Sequence, residues 1–243
     1  MSQAMNRHMD PVLDIIERSN QRGGRMLSVV DLVEARTLSL GQAAWLMDRV
    51  AEGASWLVGA KPGGAGKTTV MSALLGVMPP PPKIWLTNTG AGWAQATAGD
   101  CVVCYEVSPG HYDAYIWGKD VQRLMALGNR GVRIVSNLHA DTLDQARAQV
   151  VDDCGANATE FAAFGLFLPI VMTGGGGSRQ REVNEAQQVR DGEWGTVSRV
   201  DAEVAARADT VAFLERACAD KLQTVEGVRR AWLAHCGRSA DAR

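Results

Sequence analysis

The chain has no excess of charge of either sign, with 25 basic residues against 27 acidic ones among 243. No block of like charge stands out. A non-specific nucleic-acid binder carries a basic surplus, so no direct nucleic-acid role is expected. No run of about 18 apolar residues occurs, so no membrane span is expected. Residues 1–10 are polar and hold no signal-peptide core. The five cysteines are scattered, and their odd number fits a reducing cytoplasm better than a disulfide framework. Cys101 and Cys104 form a C-x-x-C pair inside an apolar stretch that reads as a strand. Strand alternation sends the two thiols to opposite faces, and no second pair completes a zinc site, so both are expected in the core. There is no Asn-Lys-x-Asp motif to read guanine, which argues against a GTPase. No internal repeat is visible.

What is present is an alternation of strands and helices. Asp10-Pro11 reads as a helix start, and Val12, Ile15 and Ile16 as its apolar face. Residues 19–25 read as a linker. Ser39-Leu40-Gly41-Gln42 has capping-box spacing and opens a helix that ends near Gly53. Strands are predicted over 55–59, 84–86, 101–105 and 132–136, and helices over 67–77, 119–127 and 143–151. Such alternation implies a mostly parallel sheet covered on both faces. Residues 167–173, 181–189 and 194–200 are strand-like, with turns at 174–178 and Asp191-Gly192, and read as a distal hairpin or meander. Two closing helices are predicted. Val204, Ala208, Val211 and Leu214 line one, and Leu222, Val225, Val228 and Trp232 the other. The expected layout is an N-terminal helix and linker (1–25), a core (26–200) and a helical appendage (201–243).

The sharpest signal is Lys61-Pro62-Gly63-Gly64-Ala65-Gly66-Lys67-Thr68-Thr69, between a predicted strand and a predicted helix. That context is the one a P-loop needs. Glycines let successive amides curl inward around phosphate, and the helix N-terminus adds partial positive charge. Residues 62–69 are therefore the expected ATP contacts: Pro62, Gly63, Gly64, Ala65, Gly66, Lys67, Thr68 and Thr69. Lys67 reaches the β- and γ-phosphates, and the Thr68 hydroxyl ligates Mg²⁺. The first glycine of G-x-x-x-x-G-K-[ST] is Lys61 here, with Gly59 two residues earlier.

Two further residues join this turn. Glu106 follows an apolar strand, where an acid polarises water or holds the Mg²⁺ shell through water. His139, in Ser136-Asn137-Leu138-His139-Ala140-Asp141-Thr142, sits just past another strand. It is placed to sense a γ-phosphate or to position water. Asp141 and Thr142 are expected to cap the next helix. Lys67, Glu106 and His139 are the expected catalytic set.

Taken in this order, the pieces over 32–199 resemble the C-terminal ATPase domain of the type II/type IV secretion and archaeal pilus or archaellum motor ATPases. Leu32-Val33-Glu34-Ala35-Arg36-Thr37-Leu38-Ser39 with Ala43-Ala44-Trp45-Leu46 is similar to the helix pair that leads into that family's P-loop. Pro62, Gly64, Gly66, Lys67, Thr68 and Thr69 fit its Walker A motif. Cys101-Val102-Val103-Cys104-Tyr105-Glu106-Val107 fits its Walker B strand, and residues 126–141 its histidine box. The resemblance implies an α/β, RecA-like P-loop NTPase fold with a mostly parallel central sheet, a distal β-hairpin and C-terminal helices. It implies ATP and Mg²⁺ as cofactors, and ATP hydrolysis that moves an assembly. It also implies a homo-oligomer, a hexamer in the motor form, or a membrane-platform partner, in the cytoplasm or at the inner face of the membrane. The chain departs from the family in several places. Trp85-Leu86-Thr87-Asn88-Thr89 carries no carboxylate where the family has its acidic box. Tyr105 replaces a glycine, an arginine is missing near Ser108, and the arginine-bearing N-terminal domain is expected to be absent or reduced to the first 50 or so residues. A slow or non-hydrolysing nucleotide-dependent switch is therefore the alternative reading. A small-molecule kinase would use the same cradle but needs an acceptor pocket that the sequence does not display.

Overall fold

Proline at the first helical position costs nothing, because that N–H has no partner within a helix. In the computed structural model, which describes residues 10–20, 23–87, 92–174 and 179–241, this opens α1 (Pro11–Arg18). Asp10 caps it by accepting from Val12 N at 3.0 Å, and Val12, Ile15 and Ile16 are buried. A capping box between Ser28 and Asp31 opens α2 (Val29–Glu34). The Ser39 hydroxyl accepts from Gln42 N at the head of α3 (Leu40–Ala51). β1 (Trp56–Gly59), the glycine turn and α4 (Lys67–Gly76) follow in the predicted sequence. Then come β2 (Ile84–Leu86), β3 (Cys101–Val103), β4 (Glu106–Val107), β5 (Tyr115–Ile116), α5 (Lys119–Gly128), β6 (Arg133–Leu138) and α6 (Leu143–Ala148). The chain continues with β7 (Leu166–Pro169), β8 (Val171–Thr173), β9 (Gln180–Glu182), β10 (Glu185–Arg190) and β11 (Glu193–Ser198). It closes with α7 (Arg199–Ala205), α8 (Ala208–Ala219) and α9 (Val225–Asp241).

The described residues form two compact units. One comprises those up to Glu52, Ser72–Pro80 and those from Arg199 onward; the other comprises Gly53–Met71 and Pro81–Ser198. The first is helical. Trp232 is fully buried in it, packs against Phe213 at 5.1 Å, and donates its indole N–H to Val77 O at 2.9 Å.

The second unit holds a sheet in the order β11-β10-β7-β1-β6-β3-β2. Strands β7, β1, β6, β3 and β2 run parallel, while β10 and β11 are antiparallel. The fold is thus α/β with a mostly parallel sheet, as expected. β1 and β3 are apolar along their length because both faces are covered: Trp56, Leu57, Val58, Cys101, Val102 and Val103 have no exposure. Asp191 (φ 53°) and Gly192 (φ 85°) turn β10 into β11, a two-residue hairpin turn that needs positive φ at both positions.

Several predicted elements differ in the structure. The strand expected over 101–105 stops at Val103, and Glu106 begins a separate strand. Between them the Asn137 side chain donates to Tyr105 O at 3.1 Å and Tyr105 N donates to Ala114 O, which replaces ladder pairing. The strand expected over 167–173 is two strands in two sheets. Pro169 lacks a donor, and after it β8 leaves to pair with β9. Residues 175–178 of the intervening turn, like Asn88 and Thr89, lie outside the described residues. The helix expected over 143–151 passes into a π-turn at Gln149–Asp153. The first closing helix is two, α7 and α8, so Val204 is 83% exposed on one while Leu214 is buried on the other.

Candidate functional site

The register of three strands sets the site. Gly59 of β1 pairs with Leu138 of β6, and Leu138 pairs with Val107 of β4. The glycine turn leaves β1, His139 follows β6 and Glu106 precedes Val107, so all three meet at the C-terminal edge of the sheet. That edge is where α/β sheets place ligands. Gly59 is required by closeness. A Cβ there would stand 2.4 Å from Ala140 O and 2.6 Å from the Phe167 ring.

The turn itself is held in a curled shape. Gly64 (φ 81°) and Gly66 (φ 97°) take left-handed backbone that a side chain would strain. Lys61 N donates to Asp141 Oδ1 at 2.8 Å, which anchors the entry of the turn. Val70 N donates to Gly66 O at 3.0 Å, so the helical ladder starts at the last glycine. Ala65 and Lys67 are buried, Gly64, Gly66, Thr68 and Thr69 are half-buried, and Pro62 and Gly63 are exposed.

Lys67, Glu106 and His139, the expected catalytic set, lie close together. Lys67 Nζ donates to Ala60 O at 3.1 Å and lies 3.5 Å from Glu106 Oε1. His139 Nε2 lies 2.5 Å from the same Oε1. His139 Nδ1 sits 3.0 Å from Lys61 O and 3.3 Å from Lys67 Nζ. A carbonyl only accepts, so Nδ1 carries the proton that goes to Lys61 O. Lys67 Nζ and His139 Nε2 both approach Oε1 off the best hydrogen-bond axis, and this buried oxygen receives no well-aligned hydrogen bond among the described residues. Burial holds the Lys67 ammonium below its usual lysine range, an effect the nearby Glu106 carboxylate offsets in part.

Three contacts of the site were not legible in the sequence. The Tyr115 hydroxyl donates to Glu106 Oε2 at 2.7 Å, a pairing that depends on the Glu106↔Tyr115 register of β4 and β5. Asp141, expected as a helix cap, instead anchors Lys61, while Thr142 caps α6 by accepting from Gln145 N. Arg181 of β9 donates through Nε and Nη2 to Gly64 O, both at 3.3 Å. A polar residue before a helix hints at the second; nothing local signals the first or the third. Cys101 and Cys104 are buried, and burial pushes the Cys101 thiol to about 12 and the Cys104 thiol to about 11. Neither is poised as a nucleophile or ligand.

No family model matches the chain, and no curated protein matches it. The solved structures similar to it include two ATPases. One is the VirB11 ATPase of the Brucella suis type IV secretion system in complex with sulphate, with 12% identity, a TM-score of 0.46, and coverage of 73% of this chain and 56% of that one. The other is the Legionella pneumophila ATPase DotB, with 7% identity, a TM-score of 0.40, and coverage of 81% and 59%. The matches span less than two thirds of the length of either structure. Among the described residues, no helix is long and apolar enough to cross a membrane.

Proposed function

We propose that the chain is an ATP-binding P-loop ATPase of the secretion and pilus-assembly motor type. The observation that carries this reading is the convergence of Lys67, Glu106 and His139 on one carboxylate oxygen beside a positive-φ glycine turn. A turn of this kind, opening the ten-residue helix α4, offers amides and a helix dipole to anionic phosphate. Residues 62–69 would hold the triphosphate, with Lys67 at the β- and γ-phosphates. The residues also fit Mg²⁺. Among the described residues no three His, Cys, Asp or Glu gather as a cage, and Mg²⁺ with a nucleotide needs none, since one carboxylate and a hydroxyl complete what phosphates and water supply. Thr68 would be the direct ligand and Glu106, with its poorly bonded Oε1, the water-mediated one. Mg²⁺ and the triphosphate supply the electrophilic phosphorus and charge neutralisation there.

The chain's own groups then divide the work. Lys67 leaves its resting contacts with Ala60 O and Glu106 for phosphate. Released from that charge, Glu106 Oε1 faces the water that attacks, and takes its proton. His139, fixed by its Nδ1–H bond to Lys61 O, holds the other side of that oxygen. Lys67→Ala is expected to abolish ATP binding in calorimetry, and unchanged affinity would defeat the reading. Glu106→Gln should bind ATP normally yet turn over at least a hundredfold more slowly, about the cost of one lost electrostatic contact.

The second reading is a nucleotide-dependent switch that hydrolyses slowly or not at all. What favours it is Thr87, buried and bonded through its hydroxyl to Ala114 O at 3.0 Å, in the region where the motor family carries carboxylates. Steady-state ATPase measurements with light scattering separate the two. A hexamer with turnover supports a motor acting on a membrane platform from the cytoplasmic side. A slow monomer or dimer supports the switch.

A further inference from the structure

We infer that Arg181 is part of the phosphate-binding apparatus, supplying a cation at the crest of the glycine turn toward the triphosphate of a bound nucleotide. This rests on the nucleotide reading of residues 61–69. The guanidinium reaches the turn from β9, with Nε and Nη2 at 3.3 Å from the carbonyl oxygen of Gly64. Its stem crosses the second left-handed glycine as well: a Cβ on Gly66 would stand 3.3 Å from Arg181 Cδ. Both positive-φ glycines of the turn therefore carry the same arginine, and a side chain at 66 would push it away. Gly64 uses two of the five N–H donors of the guanidinium, and the opposite edge of the fork is left to meet an anion.

Charge makes the argument stronger. The ammonium of Lys67 is buried and faces Glu106 at 3.5 Å, so much of its charge is already balanced. Arg181 is exposed, and no carboxylate pairs with it among the described residues. Its charge is not answered by a carboxylate among the described residues. Polyphosphate is the ligand class that answers it, and a planar fork matches phosphate oxygens better than a point charge does. Binding a phosphate would also tie β9 to the turn, so the pair β8–β9 would report on nucleotide.

The test compares ATP binding to the wild type, Arg181→Gln and Arg181→Lys by calorimetry over a salt series. Glutamine keeps a donor for Gly64 O but no charge; lysine keeps the charge. Arg181→Gln is expected to bind ATP about tenfold more weakly and with a shallower salt dependence, and Arg181→Lys to keep most of the affinity. If Arg181→Gln binds as tightly as the wild type with the same salt dependence, the arginine is only a prop for the turn and the inference is overturned. If the wild type itself binds no ATP, the nucleotide reading fails, and the role of Arg181 fails with it.

Discussion

In the helical unit, Arg229 is 2% exposed, and its guanidinium ends on Asp10 and on the carbonyls of Gly76 and Met78. In the sheet unit, Lys67 is nearly as buried, yet it ends on one backbone carbonyl and on a carboxylate oxygen that it approaches poorly. The helical unit treats Asp48 as it treats Arg229. Asp48 has no exposure, and it accepts from the Thr210 hydroxyl at 2.6 Å and from Arg207 N at 2.8 Å. Buried charges of this kind fasten helix ends, since they finish on the backbone groups that helices leave without partners. Lys67, Glu106 and His139 hydrogen-bond to Ala60 O, Tyr115 and Lys61 O, but their charges face one another across Glu106 Oε1 with no well-aligned bond to it. A set like that is held by mutual charge, and a stronger anion can take it apart. The difference teaches where removal of a side chain should cost stability and where it should cost chemistry.

The largest expected effect lies in the helical unit. Trp232→Ala removes a fully buried indole with its ring contact and its bond to Val77 O. The expected loss is about 3–5 kcal/mol, read as a lower denaturation midpoint in urea. Lys67→Ala should lower that midpoint less, because the folded state also sheds the desolvation cost of the ammonium and His139 still faces the Glu106 carboxylate. A large loss of stability from Lys67→Ala would erase the contrast between the two units.

Next in size is Tyr115→Phe. The phenol holds Glu106 Oε2, while Oε1 faces His139 and Lys67. Without it the carboxylate can turn about its last bond. A roughly tenfold fall in kcat is expected with KM for ATP little changed, the pattern of a group that acts only as the reaction proceeds. A rise in KM alone would make Tyr115 a packing residue of β5.

Much of the fold could be read from the sequence because its signals are local. Asp10-Pro11, Ser39, Thr142 and Asp191-Gly192 each specify a cap or turn within a few residues, and the structure keeps all four. β1 and β3 were legible because burial on both faces makes them continuous apolar runs. The breaks after Val103 and Pro169 were not, because they depend on partners far along the chain: Asn137 and Ala114 for the first, β9 for the second. The site divides in the same way. The turn and Lys67 carry a local pattern, and Glu106 and His139 stand at strand ends. Tyr115 and Arg181 act through a strand register and a contact across 117 residues, which no window of sequence contains.

The smallest effect is a pH dependence, and it runs in opposite directions for binding and for folding. Burial lowers the Lys67 ammonium from the ordinary lysine value of 10.5, and Glu106 offsets only part of that shift. Between the lowered folded value and 10.5, the unfolded chain binds more protons at this residue than the folded one. Stability contributed by Lys67 therefore rises with pH through that window. ATP binding needs the ammonium, so affinity should fall over the same window, starting at lower pH than an ordinary lysine would allow. Binding in that window must also draw a proton onto Lys67, because phosphate favours the charged form. Calorimetry in two buffers of different ionisation enthalpy measures that uptake. Proton uptake that vanishes in Arg181→Gln but persists in Lys67→Arg would assign it to the wrong group, since arginine stays charged throughout the window. The expected result is the reverse: uptake kept in Arg181→Gln, lost in Lys67→Arg.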